Sequence, residues 1–423
     1  MADLAGSLRK INYRHWLKVL GRFFTFQVGL KAIGMLITFG VIRLLSKEDY
    51  AYFTMATAMV GAITVLADSG VGSGVSAIGG QIWQDKKQMG VLLNTALAIR
   101  KQLFSWAALA VAPVLFWLLH KQGTPLMLNL GIIALVIGIA YLQIETGIYK
   151  NMLKLRACFD DIQKLELVNS LVRGALFLAL GLLFFNTLVA IGITLLGFAA
   201  EMLFSKKIAG QQIQISSENN PDYRKRMLGI VGRQFPNTLY FALKGQLTVF
   251  IISFFGNVES IAEIGALSKF GLFMSLITVT FQSVIVPEFA KTHDTKDMMR
   301  RFLFVLGGMS IIGLVFGGTA YFFPRFFLAI LGDHYNHLEQ ELILIIISIL
   351  LQNIRHSIFS LNVAKGWIPD WPINVSLNVV SIVICSYLFD LSSTMGVIKF
   401  NLYISLPALG YYIIHSVWHI KSK

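Results

Sequence analysis

Roughly twelve apolar stretches follow one another along the chain, each about twenty residues long and so able to cross a hydrocarbon layer as a helix. The predicted spans are 20–44, 52–80, 91–119, 126–148, 165–185 and 187–207, then 229–254, 260–287, 302–323, 340–363, 373–390 and 395–418. Between the two sets of six lies a polar stretch, Gln211 to Arg226, with Ser216, Ser217, Asn219, Asn220 and Pro221. It reads as a loop or an interfacial helix linking two lobes. The predicted organisation is therefore a first lobe over 1–210, a linker over 211–228 and a second lobe over 229–423. A shift of 211 residues superposes Arg22 on Arg233 and Glu48 on Glu259 and brings Lys31 within two positions of Lys244, which suggests an internal duplication. Six is an even number of crossings, so both halves enter from one side and their symmetry axis runs along the membrane normal. The expected fold is an all-α polytopic bundle, two pseudo-twofold six-helix lobes around a central cavity.

Charge fixes the expected orientation. Lys and Arg gather in every second connection: Arg9, Lys10, Arg14 and Lys18; Lys86 and Lys87; Lys150, Lys154, Arg156 and Lys164; Lys206, Lys207, Arg224, Lys225 and Arg226; Lys291, Lys296, Arg300 and Arg301; Lys365; Lys421 and Lys423. The intervening connections hold little more than Lys47, Lys121 and Arg325. Because positive loops stay in the cytoplasm, both termini are expected there, in a bacterial inner membrane. The first apolar run lacks a small-residue cleavage site and is expected to stay as the first helix.

Of the 423 residues 56% are hydrophobic and 14% charged, a membrane composition rather than that of a soluble core. The longest extracytoplasmic connection, about Pro324 to Glu341, is too short for a folded periplasmic domain. The net charge of +14 would invite a nucleic-acid reading, but basic loops facing anionic lipid account for most of it. With Cys158 and Cys385 alone there is no material for a disulfide framework or thiolate metal site. No metal, cofactor or catalytic set is expected. His334 and His337 near Asp333 read as a solvated loop.

Charges inside the spans carry the functional signal, because an ion facing lipid costs about 2.5–3.5 kcal/mol and is expected to face protein or water instead. Lys31, Arg100, Lys101, Arg173, Lys244, Lys269, Arg355 and Lys399 lie within apolar stretches, against Asp68, Glu145, Glu201 and Glu263. Eight cations against four anions favour a water-filled, positive cavity suited to an anionic substrate. Residues three or four apart share a helix face, which groups Arg233, Asn237, Tyr240, Lys244 and Thr248 into one stripe. Gln27, Lys31, Gly34 and Thr38 form another, as do Thr57, Gly61, Thr64, Asp68, Gly72 and Ser76. Gln352, Arg355, His356 and Phe359 form a fourth, and Asn169 lies with Arg173. The candidate substrate-binding set is Lys31, Arg173, Lys244, Lys269 and Arg355; Asp68, Glu145 and Glu263 are candidate counter-ions or ion-coupling groups.

Blander roles compete. Arg100, Lys101 and Lys399 lie near span ends, where snorkelling to the headgroups is expected. Glu145 and Glu201 lie where loop lysines could pair with them. Asp68 is expected to hold one of the cations, since one acid alone does not define a proton relay. The small-residue run Gly70, Gly72, Ser73, Gly74, Gly79 and Gly80 lacks the flanks of a phosphate loop and reads as close helix packing. Pro113, Pro236 and Pro407 are expected hinges.

Three stretches carry a family resemblance: RLLSKEDYAYFTMATAMVGAITVLADSGVGSGV from Arg43 to Val75, FPNTLYFALKGQLTVFIISFFGNVESIAEIGALSKF from Phe235 to Phe270, and FFPRFFLAILGDHY from Phe322 to Tyr335. They resemble the polysaccharide exporter family of lipid-linked oligosaccharide flippases. Its superfamily also holds multidrug antiporters and the murein precursor flippase. The resemblance implies transfer of an undecaprenyl-pyrophosphate-linked oligosaccharide, an O-antigen or exopolysaccharide repeat unit, from the cytoplasmic to the periplasmic leaflet. It implies as partners the lipid-linked substrate, membrane lipids, and a polymerase with other polysaccharide assembly proteins. This chain has Lys244, Gly245 and Gln246 where the family often carries an acid, which departs from its ion-coupling pattern. Twelve spans also differ from the fourteen typical of the murein flippase branch. Two rivals stand beside this reading: a cation-coupled multidrug antiporter, which would want acids in its cavity, and a membrane-embedded glycan polymerase or ligase, which would want a large periplasmic loop.

Overall fold

The computed structural model describes residues 13–181, 185–281, 285–292, 294–367 and 371–422. Of the charge positions above, Arg9, Lys10 and Lys423 lie outside the described residues. So do the side chains of Arg14, Lys18, Arg22, Gln27, Asn237 and Lys291. Among the described residues there is no strand. The first half comprises α1 (Tyr13–Leu44), α2 (Lys47–Asp68), α3 (Val71–Ile82), α4 (Lys86–Lys121), α5 (Leu126–Leu155), α6 (Phe159–Leu180) and α7 (Thr187–Gln212). The second comprises α8 (Pro221–Phe255), α9 (Val258–Ser268), α10 (Gly271–Thr280), α11 (Val286–Lys291), α12 (Thr295–Phe322), α13 (Pro324–Leu331), α14 (Glu339–Ala364), α15 (Trp371–Leu388) and α16 (Thr394–Lys421).

Helix starts recur between the halves: Tyr13 with Pro221, Lys47 with Val258, Lys86 with Thr295, Leu126 with Glu339, Phe159 with Trp371 and Thr187 with Thr394. Each pair lies within about four residues of the predicted shift of 211, so the repeat weakly visible in charge is explicit in structure. Among the described residues α2, α4, α5, α7, α12, α14 and α16 are each long and apolar enough to cross a membrane. The other five predicted spans correspond to α1, α6, α8, the broken run α9–α11, and α15. The stretch from Pro324 to Glu341, expected as a connection, holds the short helix α13.

Polar caps set the entry of these helices. Ser46 accepts from Asp49 N, Asp85 from Lys87 N and Gln88 N, Asn257 from Ser260 N, and Ser393 from Gly396 N. Asn220 caps α8 with Pro221 in the first turn, where its missing N–H costs nothing. Two spans predicted as single helices are broken. The second turns at Ser69 (φ 37°) and Gly70 (φ 91°), a left-handed pair that ends α2 and starts α3. A Cβ at Gly70 would strike the Gln234 side chain of α8, so glycine serves both the turn and the close approach. The eighth span breaks at Lys269 and Phe270. Irregular backbone at membrane depth persists only where protein or a cavity surrounds it, and Ser69 and Phe270 are both fully buried.

The apolar core shows how the lobes meet. One large cluster unites both halves at the end away from the basic loops, joining Ile42, Tyr50 and Leu115 of the first half to Ile264, Phe270, Leu328 and Val397 of the second. At the basic end the clusters are separate. One gathers Val75, Leu92, Met152 and Ala209 of the first half with Met227 and Val231 of α8, while another gathers Phe289, Phe302, Leu361 and Ile420 of the second half. Among the described residues one apolar cluster thus seals the lobes at one end, while at the basic end their apolar packing runs through α8. Pro113, Pro236 and Pro407 lie inside α4, α8 and α16.

Candidate functional site

The α8 stripe and the α14 stripe meet across one cavity of about 420 Å³. Tyr240, Lys244 and Thr248 line it from α8 and Gln352, Arg355, His356 and Phe359 from α14, facing Asn374 of α15 and Asn401, Ser405 and Tyr412 of α16. Helical spacing dictates this, because positions 240, 244 and 248 project from one face of α8. Lys244 donates to Asn378 Oδ1 and to Tyr240 Oη at 3.2 Å, with its ammonium 5.5 Å from the Tyr240 ring centre. The Asn378 amide is held in turn by Asn374, whose Oδ1 accepts from Tyr412 Oη at 3.1 Å. Among the described residues the buried Nε of Arg355 has no hydrogen-bond partner.

A second chamber of about 420 Å³ shares Gly245, Thr248, Gln352 and Asn401 with the first and extends toward the lobe interface. Thr54 and Thr57 of α2 line it from the first lobe; Gln246 of α8, Ser268 and Lys269 at the break after α9, and Ser348 of α14 line it from the second. Lys269, Lys244 and Arg355 therefore stand around one two-chambered space.

The acids are engaged elsewhere. Asp68 pairs with Arg100, whose Nη1 also donates to the Ile144 carbonyl at 2.6 Å. Arg100 is only 7% exposed, so the expected snorkelling is wrong for it: its guanidinium turns inward to the end of α2 and not outward to headgroups. Glu145 binds Lys101 at 2.8 Å and accepts from Tyr141 at 2.7 Å. Glu201 binds Lys150, in the last turns of α5, at 2.5 Å and Asn169 at 2.8 Å. Glu263 receives His337 at 2.7 Å and Thr394 at 2.5 Å, with Lys47 at 3.8 Å. Among the described residues no ion pair within 4 Å is made by Lys31, Arg173, Lys244, Lys269 or Arg355.

Two members of the candidate set fall away from the cavity. Lys31 reaches across to α10, donating to the carbonyl and hydroxyl of Ser275 at 3.1 Å each, and lines neither chamber. Arg173 packs along Gly197 of α7, inside the first lobe. Several residues of the site were not anticipated. Asn374 and Asn378 stand four apart on α15, as do Asn401 and Ser405 on α16, a spacing readable in sequence but carried by neutral side chains. At the sealed end Lys47 contacts Glu259 as well as Glu263, so His337 belongs to a cross-lobe cluster and not to a free loop.

The sequence profile of polysaccharide biosynthesis proteins matches residues 41–340. The chain belongs to that family. No curated protein sequence matches it. In structure it is similar to a multidrug resistance MATE family transporter of the MOP superfamily in an inward-facing conformation, with TM-score 0.70, 14% identity and coverage of 93% of this chain and 95% of that chain. It is also similar to the lipid II flippase MurJ in an inward closed conformation, with TM-score 0.68, 16% identity and coverage of 94% and 87%. An outward-facing MATE family transporter superposes with TM-score 0.55 at 14% identity, covering 95% and 96%. The fold is that of these two-lobed membrane transporters.

Proposed function

We propose that this family member is a flippase that moves an undecaprenyl-pyrophosphate-linked oligosaccharide, an O-antigen or exopolysaccharide repeat unit, from the cytoplasmic to the periplasmic leaflet of a bacterial inner membrane. The observation that carries this reading is the pairing of Lys244 and Arg355 across one cavity without a carboxylate partner. A buried cation is costly unless compensated, and an entering diphosphate supplies the missing charge. The amides and phenols around it, Gln352, Asn374, Asn401, Tyr240 and Tyr412, suit sugar hydroxyls. A multidrug antiporter holding a cationic drug would want an acid here, and among the described residues none lines either chamber.

The proposed lobes are 1–210 and 229–423, rocking about the linker 211–228, with both termini in the cytoplasm. The separated clusters at the basic end then describe a cavity open to the cytoplasm, supported by the better superposition on an inward-facing than on an outward-facing relative. Lys244 and Arg355 draw the headgroup in while the polyprenyl tail stays in lipid. Lys31 and Arg173 act at the periphery of this path, and Asp68, Glu145 and Glu263 act as counter-ions. A polymerase and other assembly proteins would receive the product.

Depletion in the native cell tests this. Lipid-linked repeat units should accumulate on the cytoplasmic leaflet, and their continued appearance outside would refute the proposal.

A further inference from the structure

Lys269 is one cation more than a diphosphate requires. A diphosphate diester carries two negative charges, which Lys244 and Arg355 can meet within the first chamber. Lys269 belongs only to the second chamber, reached past Thr248, Gln352 and Asn401. Among the described residues its ammonium makes neither an ion pair nor a hydrogen bond to any side chain or carbonyl, whereas Lys31, Lys47, Lys101 and Lys150 all do. It sits at a helix break, and the chamber around it is built of hydroxyls and amides, with Thr57 and Gln246 opposite one another across the lobe interface.

Resting on the flippase reading, we infer that the second chamber is a subsite for a carboxylate-bearing sugar of the transported glycan, with Lys269 binding the carboxylate. The hydroxyls and amides then take the ring hydroxyls, and a headgroup spanning both chambers places its diphosphate at Lys244 and Arg355 and an acidic residue of the glycan at Lys269. A neutral glycan would leave the ammonium desolvated and uncompensated, so the site selects against it. The substrate class narrows from lipid-linked oligosaccharides in general to those containing a uronic acid or similar acidic sugar.

The test uses the full chain in lipid nanodiscs with two synthetic polyprenyl-pyrophosphate disaccharides that differ only in a terminal glucuronic acid or glucose. The intact protein should bind the acidic lipid about ten- to a hundredfold more tightly, the range of one charge-assisted hydrogen bond. Lys269→Gln should bring the acidic lipid down to the affinity of the neutral one, and Lys269→Arg should restore most of the difference. Equal affinity of the intact protein for both lipids overturns the subsite, as does a Lys269→Gln variant that keeps the preference. If Lys269→Gln loses affinity for both lipids alike, Lys269 serves the diphosphate and the inference fails. Failure of the flippase reading itself looks different: neither lipid would bind, or Lys244→Gln/Arg355→Gln would bind both as the intact protein does.

Discussion

Lys47, at the start of α2, binds Glu259, at the start of α9, and so ties the first lobe to the second at the sealed end. Opening at that end must break this contact. The pair is partly exposed, and such pairs contribute about 0.2–1 kcal/mol, so its loss should shift the balance of states by no more than about fivefold. In a background with Cys158 and Cys385 replaced by Ser, a Thr57→Cys probe in the chamber should react faster with an impermeant maleimide added outside when Lys47 is changed to Glu. Adding Glu259→Lys should restore protection; no change with either variant would show that the contact does not hold the seal.

Acid should act on the same contact. The hydrogen bond from Lys47 holds the Glu259 carboxyl below its ordinary value of 4.5. A group depressed in the sealed state stabilises that state above this range and stops doing so as falling pH protonates it. Thr57→Cys labelling from outside, measured relative to a free thiol at the same pH, should therefore rise as pH drops below about 4.5, and Glu259→Gln should flatten the response. A rise that survives Glu259→Gln would assign the acid effect to another group.

Gly265 of α9 supplies a steric counterpart to this electrostatic tie. A Cβ there would strike the Thr54 Oγ1 of α2 and stand 2.8 Å from its Cγ2, closer than atoms of two packed elements tolerate. Overpacking of this kind costs about 1–3 kcal/mol. The sealed arrangement packs α2 against α9, so Gly265→Val should favour the opposite state and increase Thr57→Cys labelling more than Lys47→Glu does. Lower thermal stability without increased labelling would mean that Gly265 packs the same way in both states.

Much of this arrangement was legible in sequence and some was not. Lys244 and Arg355 could be read because both stand on polar stripes at helical spacing, and shared faces survive folding. Arg100 could not: a cation near a span end snorkels or turns inward according to what lies beside it, and Asp68 arrives from another helix only in the folded bundle. The break at Ser69 and Gly70 has a glycine signal, obscured by the further glycines around it. The break at Lys269 and Phe270 has only Gly271 beside it, and a single glycine in an apolar run more often marks close packing than a break. Lys31 shares the stripe pattern of Lys244 yet points at Ser275, since periodicity fixes which residues share a face but not what that face meets. Asn374, Asn378 and Tyr412 escaped notice because neutral polar groups barely interrupt an apolar run.

The Asp68–Arg100 pair predicts a structural rather than a coupling role. Removing one partner of a buried pair costs about 3–5 kcal/mol, and the partial exposure of Asp68 reduces that here to about 1–3. Asp68→Asn should lower the thermal midpoint in detergent, while Asp68→Asn/Arg100→Gln should recover part of the loss. A stable Asp68→Asn variant whose transport had lost its pH dependence would make Asp68 a proton-coupling group instead.

The proposed orientation rests on the alternating loops. Cysteines at Gln122, Asn257 and Ser393 should be labelled from outside intact cells, and cysteines at Gln88, Ser217 and Thr295 should be protected. Reversal at two or more positions would invert the orientation.

Translocation in proteoliposomes tests the cationic cavity most directly, with a polyprenyl-pyrophosphate oligosaccharide in both leaflets and an outside enzyme that modifies only the lipid it can reach. The intact protein should make the inner pool accessible. Lys244→Gln and Arg355→Gln should slow this at least about tenfold, from the loss of one charge-assisted contact each. Lys244→Glu and Arg355→Glu should be slower still, because they reverse the local potential, with all four proteins folded as judged by thermal unfolding. Rates for both Glu variants equal to that of the intact protein would contradict the account.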